Sequence, residues 1–177
     1  MARRLASLLV IALACGLGAV TVSNARAGKP SAPVAHIPAI PLTTASGPRC
    51  PIPTRFRKAF VDASRETRLP LSLLTAVARV ESEFQPAATS GAGARGLLQM
   101  MPTTAAELDI EHPTQNVLAG ARYLRLQFDR FPSSDLALAA YNAGPAAVTN
   151  AGGAPSEETL TYIADVTSIW RSLAGCS

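Results

Sequence analysis

The sequence predicts a mainly α fold, with one globular domain at residues 50–177 preceded by an export signal at 1–27 and a linker at 28–49. Beyond position 50, apolar residues recur at the i, i+3, i+4, i+7 spacing of a helix face. No run reads as a convincing strand, and there is neither βαβ alternation nor a fixed repeat. The residues before 50 have a different composition and lack that periodicity.

Arg3 and Arg4 precede an uncharged run from Leu5 to Val22, and Ala25-Arg26-Ala27 offers the small residues that a signal peptidase reads, so cleavage is expected after Ala27. An uncleaved membrane anchor is the alternative, disfavoured by Gly16, Gly18 and Thr21. Lipidation at Cys15 ranks lower, because Ala12 stands where a lipobox usually has leucine. Residues 28–49 hold Pro30, Pro33, Pro38, Pro41 and Pro48 among Ala, Ser and Thr, a composition that stays extended and solvated.

Within the domain, Phe56, Ala59, Phe60 and Ala63 set a helix over about 54–68, which Leu69-Pro70 stops. Leu73, Leu74, Val77 and Val80 set a second from Ser72 to Phe84, with Pro86 just beyond. A Gly/Ala/Ser-rich loop fills 87–96. Helical segments are then expected at Leu97–Met101, Thr103–Leu108, Val117–Phe131 and Leu136–Tyr141. A last helix begins at Ser156, an N-cap followed by Glu157 and Glu158 where the helix dipole favours acids, and runs to about Leu173.

Charge excludes one class of partner. The full chain carries 16 basic and 12 acidic residues with a pI near 9.3, but the signal holds three of the arginines and no acid, so the mature chain is nearly neutral. Its arginines are scattered, which gives no footprint for nucleic acid. With Cys15 removed, Cys50 and Cys176 remain at the two ends of the domain, and in an oxidising compartment they are expected to pair. Closing so long a loop stabilises by up to roughly 4–5 kcal/mol on a chain-entropy account.

Several chemistries are unsupported. Gly91, Gly93 and Gly96 match a dinucleotide-binding spacing, but Gln85-Pro86-Ala87-Ala88-Thr89-Ser90 before them is no buried strand. His36 and His112 show no metal-ligand spacing, and no cofactor is implied. Neither histidine suggests a nucleophilic triad. Carboxylates remain. Glu81 and Glu83 close the second helix, where the macrodipole is negative and an acid is disfavoured. Apolar neighbours there would raise a carboxyl pKa and make a general acid, whereas a solvated surface pair is the ordinary reading. Two positions apart they point about 200° from each other, so one at most serves a given cleft. The spacing itself favours neither.

Glu81-Ser82-Glu83-Phe84, followed by Ser90-Gly91-Ala92-Gly93-Ala94-Arg95-Gly96-Leu97-Leu98-Gln99-Met100-Met101-Pro102, resembles the signature of the soluble lytic transglycosylases of glycoside hydrolase family 23. Asn116 to Leu124, Ala139 to Pro145 and Glu158 to Ile163 supply further blocks in the family's order, so the resemblance covers roughly 55–172. It implies a lysozyme-like fold with Glu81 as the catalytic residue and Glu83 in solvent. It further implies that Ser90 faces Glu81, that Gln99 and Met101 line the cleft, that Tyr141 and Asn142 contact the N-acetylated sugar, and that Glu158 and Tyr162 form a second polar cluster nearby. Leu98, where many members have methionine, and His112, where an acid commonly precedes the proline, depart from the pattern.

The activity so implied is cleavage of the β-1,4 bond between MurNAc and GlcNAc in peptidoglycan, leaving a 1,6-anhydro end. One glutamate then acts with the substrate's own N-acetyl group, whereas most glycosidases need two carboxylates. The alternatives are a goose-type lysozyme-like hydrolase, with Glu158 or Asp109 as base, and a non-catalytic peptidoglycan-binding module, against which Glu81 argues. The enzyme is expected to be exported, periplasmic or extracellular and associated with the cell wall, and to act as a monomer on peptidoglycan glycan strands. No motif identifies an envelope or secretion partner.

Overall fold

The computed structural model describes residues 47–107 and 117–177, all within the unit that runs from Ser31 to Ser177. The expected signal and most of the expected linker, with Cys15 and His36, lie outside the described residues, as do Asp109, His112 and Asn116. Seven helices appear among the described residues: α1 (Thr54–Thr67), α2 (Leu71–Ser82), α3 (Pro102–Glu107), α4 (Val117–Arg130), α5 (Ser134–Ala143), α6 (Pro145–Ala151) and α7 (Glu157–Ser172).

α1 buries Phe60 and Ala63, and Arg68 ends it in the left-handed region at φ 58°. Ser64 Oγ donates to the Leu69 carbonyl at 2.7 Å and fastens the turn into α2. α2 is the central helix. Every residue from Ser72 to Ala78 is buried, so it is enclosed on all sides rather than amphipathic. It packs on α1 and α7; α5 packs on α4, α6 and α7; and α1 packs on α4. Leu73, Leu74, Val77, Leu124, Leu138 and Val166 form the core that these faces share.

The mainly α expectation holds, with local corrections. The second helix stops at Ser82, two residues before the expected end, because Glu83 and Phe84 turn left-handed at φ 50° and 61°. The expected helix at Leu97–Met101 is absent. Positive φ at Gly96 (80°) and Gln99 (43°) breaks it, and Arg95 instead bridges both Thr89 and Met100. α6 was not expected: Pro145 opens it and Gly144 and Gly152 bound it, so seven residues carry too little periodicity to read. α5 begins earlier than expected, at Ser134, because Ser133 caps it by accepting from the Leu136 N–H at 3.2 Å. Ser156 caps α7 as expected, accepting from the Thr159 N–H at 3.1 Å.

The ends of the domain meet. Cys50 and Cys176 lie at disulfide distance, with Cα atoms 4.9 Å apart. Beside them the Ser177 N–H donates to the Pro48 carbonyl at 3.1 Å, and Arg57 donates to the carbonyls of Cys50 (3.2 Å) and Ser177 (2.7 Å).

Gly120 of α4 lets the Gly-rich loop approach closely. A Cβ there would lie 2.7 Å from both Cβ and Cδ1 of Leu98, which is 3% exposed. Alanine in a helix interior gains up to about 1 kcal/mol over glycine, but overpacking of a filled core costs about 1–3 kcal/mol. Gly120→Ala is therefore expected to be net destabilising, by about 1 kcal/mol, seen as a lower urea midpoint at unchanged slope. An unchanged or higher midpoint would show that Leu98 yields freely.

Candidate active site around Glu81

Glu81 occupies the last turn of α2, one residue before the helix stops. As a residue it is only partly exposed. Burial of its carboxyl pushes the pKa from 4.5 to about 7, against the opposing pull of the Tyr162 hydroxyl. That hydroxyl is buried and faces the carboxyl without reaching full hydrogen-bond geometry, so it offsets only part of the desolvation.

Three elements bring Glu81, Tyr141 and Tyr162 together. Tyr141 comes from α5 and Tyr162 from α7, and each ring is at most 8% exposed. Burial raises both phenols well above the ordinary value, and the nearby Glu81 carboxylate raises them further. Both hydroxyls therefore stay protonated at neutral pH. Tyr141 gives its proton to the Leu98 carbonyl at 2.7 Å, and its ring packs on Tyr123 at 5.5 Å between centroids.

The Gly-rich loop is held from both sides. Ser82 Oγ, buried, donates to the Leu97 carbonyl at 2.9 Å from the α2 side, and Tyr141 holds Leu98 from the α5 side. Inside the loop the Gln99 amide donates to the carbonyls of Ala88 (3.1 Å) and Gly96 (2.8 Å). Ser90 Oγ accepts from the Ala94 N–H at 3.0 Å, closing the turn in which it stands exposed. Met101 follows the loop with 37% of its surface exposed.

Asn142 lies next to Tyr141, exposed, with its Oδ1 accepting from Thr159 Oγ1 at 3.0 Å. Glu158 is exposed on the first turn of α7, and Glu83 is exposed in its left-handed stop. Among the described residues no three His, Cys, Asp or Glu side chains gather as a metal site.

Of the residues expected at the site, Glu81, Tyr141 and Tyr162 share one electrostatic cluster, Ser90 and Gln99 are tied into the loop, and Asn142 is tied to α7. Sequence reasoning missed Ser82, Thr159 and Gly120. Ser82 bonds to the carbonyls of Ala78 and Leu97, Thr159 to Ser156 and Asn142, and Gly120 leaves room for Leu98. A serine between two glutamates gives no sign of such burial.

The profile of the Transglycosylase SLT domain matches residues 58–163. Among similar curated proteins, the "Transglycosylase" of Enterobacteria phage PRD1 is 42% identical over 85 residues, 46% of this chain and 32% of that protein. "Membrane-bound lytic murein transglycosylase F 2" of Alkalilimnicola ehrlichii is 37% identical over 100 residues, 51% of this chain and 22% of that protein. Among solved structures, an inactive mutant of lytic transglycosylase Slt from Pseudomonas aeruginosa superposes with a TM-score of 0.59 at 29% identity, covering 71% of this chain and 25% of that one. The 70 kDa soluble lytic transglycosylase of Escherichia coli gives 0.56 at 27%, covering 68% and 25%. The chain thus spans a third or less of the length of these relatives. A profile match reaching from α1 into α7, over the helices that hold Glu81, Tyr141 and Tyr162, means that the chain belongs to the Transglycosylase SLT domain family.

Proposed function

We propose that the chain is an exported peptidoglycan lytic transglycosylase in which Glu81 is both acid and base. One observation carries this reading: a glutamate of an SLT domain sits in a desolvated setting with its pKa at about 7, where it holds or releases a proton with equal ease at neutral pH. Protonated Glu81 gives its proton to the β-1,4 oxygen between MurNAc and GlcNAc as the C1–O bond breaks. The MurNAc acetamido carbonyl stabilises C1. The Glu81 carboxylate then takes the proton of the MurNAc C6 hydroxyl, whose oxygen bonds to C1 and closes the 1,6-anhydro ring, so no water is consumed.

Tyr162 supports both halves of the cycle. Its hydroxyl moderates the cost of the carboxylate left after the first transfer. Among the described residues, the side chain that acts on Glu81 is Tyr162, through its hydroxyl. Asn142 and Tyr141, adjacent on α5, position the acetamido group, with Ser90, Gln99, Met101 and Glu158 around the strand. A Cys50–Cys176 disulfide fits export into an oxidising compartment after removal of residues 1–27. Among the described residues no helix is long and apolar enough to cross a membrane.

The chain without residues 1–27 should release anhydro-muropeptides, one water lighter than hydrolysis products, from purified peptidoglycan, and Glu81→Gln should release none. Reducing ends in the mass spectra would instead indicate a hydrolase, and a silent wild type a binding role. Because Glu81 must start protonated, kcat/KM should fall about tenfold per pH unit above a midpoint near 7. A flat profile across that midpoint would remove Glu81 as the acid.

The same burial costs stability. The folded pKa, about 7, lies above the reference value of 4.5, so the fold binds the proton more tightly than the unfolded chain does. Stability is therefore lost as pH rises between these values, by about 3 kcal/mol at most. Glu81→Gln should match wild type below pH 4.5 and unfold at higher denaturant above pH 7. Equal stability throughout would mean that the carboxyl is solvated.

Replacing Cys50 and Cys176 with serine should cost up to roughly 4–5 kcal/mol for so long a loop, while the midpoint of the pH–rate profile stays in place. No change in unfolding would mean that the thiols are not bonded.

A further inference from the structure

The side chains of Ser156 and Thr159 at the start of α7 and of Asn142 near the end of α5 form a hydrogen-bonded chain, with Asn142 Oδ1 as its accepting end. Ser156 caps the helix, its Oγ accepting from the Thr159 N–H at 3.1 Å, and the two side-chain oxygens of Ser156 and Thr159 lie 3.0 Å apart. Thr159 donates its single proton to Asn142 Oδ1 at 3.0 Å. A hydroxyl has one proton to give. With Thr159's proton committed to Asn142, Ser156 is the donor to Thr159, and each proton in the chain is used once. Thr159 is 2% exposed, so its hydroxyl has a fixed setting, whereas Asn142 is exposed beside Tyr141 of the Glu81 cluster.

An asparagine side chain has one accepting end and one donating end. With Oδ1 held by Thr159, the Nδ2 group is the end turned away from α7. We propose that Thr159 is a positioning residue that sets this orientation, so that the cleft presents a donor at Asn142 and favours sugars carrying an acceptor there, the carbonyl of an N-acetyl group. The helix N-cap thereby acts in ligand selection. The inference rests on the reading of Asn142 as a substrate contact.

The test uses the tetramer of β-1,4-linked N-acetylglucosamine and the corresponding glucosamine tetramer, titrated calorimetrically into wild type, Thr159→Val, Thr159→Ser and Asn142→Ala. Wild type should prefer the acetylated tetramer. Thr159→Val keeps the branched shape but loses the hydroxyl, and should shrink that preference by about tenfold, the scale of one hydrogen bond; Thr159→Ser should retain it. Asn142→Ala should shrink it equally, and adding Thr159→Val to Asn142→Ala should change it no further. A merely structural threonine would lower the melting temperature and leave the preference intact. Should Thr159→Val not fold, the serine and alanine variants still decide the matter. Preference kept in Asn142→Ala, lost in Thr159→Ser, or missing from wild type overturns the inference. Wild type that shows the preference yet makes no anhydro-muropeptides removes the lytic reading and leaves the role of Thr159 standing.

Discussion

Two consecutive non-glycine residues in the left-handed region, Glu83 at φ 50° and Phe84 at φ 61°, end α2 directly after Ser82, and the setting of Glu81 depends on that stop. Such conformations cost on the order of 1–3 kcal/mol each and persist only where surrounding contacts outweigh them. Phe84 provides the main compensation, being 7% exposed and packed on Phe60 with ring centroids 5.7 Å apart. The Glu83 N–H adds a 3.2 Å bond to the Arg79 carbonyl. The result is a helix that delivers Glu81 in its last turn, sends Glu83 into solvent and returns Phe84 to the core. One short segment thus separates the two carboxylates by environment.

The second constraint is the placement of loop carbonyls. Leu97 and Leu98 lie in a segment without regular structure, so their carbonyls need partners from elsewhere. Ser82 supplies one from α2 and Tyr141 the other from α5. These two bonds tie the loop to the elements that carry Glu81 and its tyrosine neighbour. The glycine at position 120 admits Leu98 against α4 from below, so loop, acid and phenol are held as one unit.

The helices with strong periodicity were legible in the sequence because their apolar faces meet the core that they predict: α1, α2, α4 and α7 agree within two residues at each end. Leu97–Met101 misled because an apolar run looks helical when the backbone at Gly96 and Gln99 is not considered, and Leu98 is buried for a different reason, its contact with Gly120 of α4. At the site, spacing separated Glu81 from Glu83 in direction without saying which faced the cleft; the family resemblance named Glu81, and burial gives the physical reason. Tyr141 shows the limit most clearly. Its hydroxyl donates to a backbone carbonyl 43 residues away, a pairing that no local pattern encodes.

Burial and hydrogen bonding act on Glu81 in opposite directions, and the site's usefulness depends on neither winning outright. Desolvation raises the pKa of the carboxyl and is the larger effect, whereas the Tyr162 hydroxyl lowers it. Tyr162 occupies the intermediate position, buried and facing the carboxyl but short of full bonding geometry. Because its own phenol is pushed well above the ordinary value, it stays a donor throughout and never competes for the proton. In the proposed mechanism, the helix end that lowers the stability of the charged fold is therefore the same feature that would let one carboxyl take both roles.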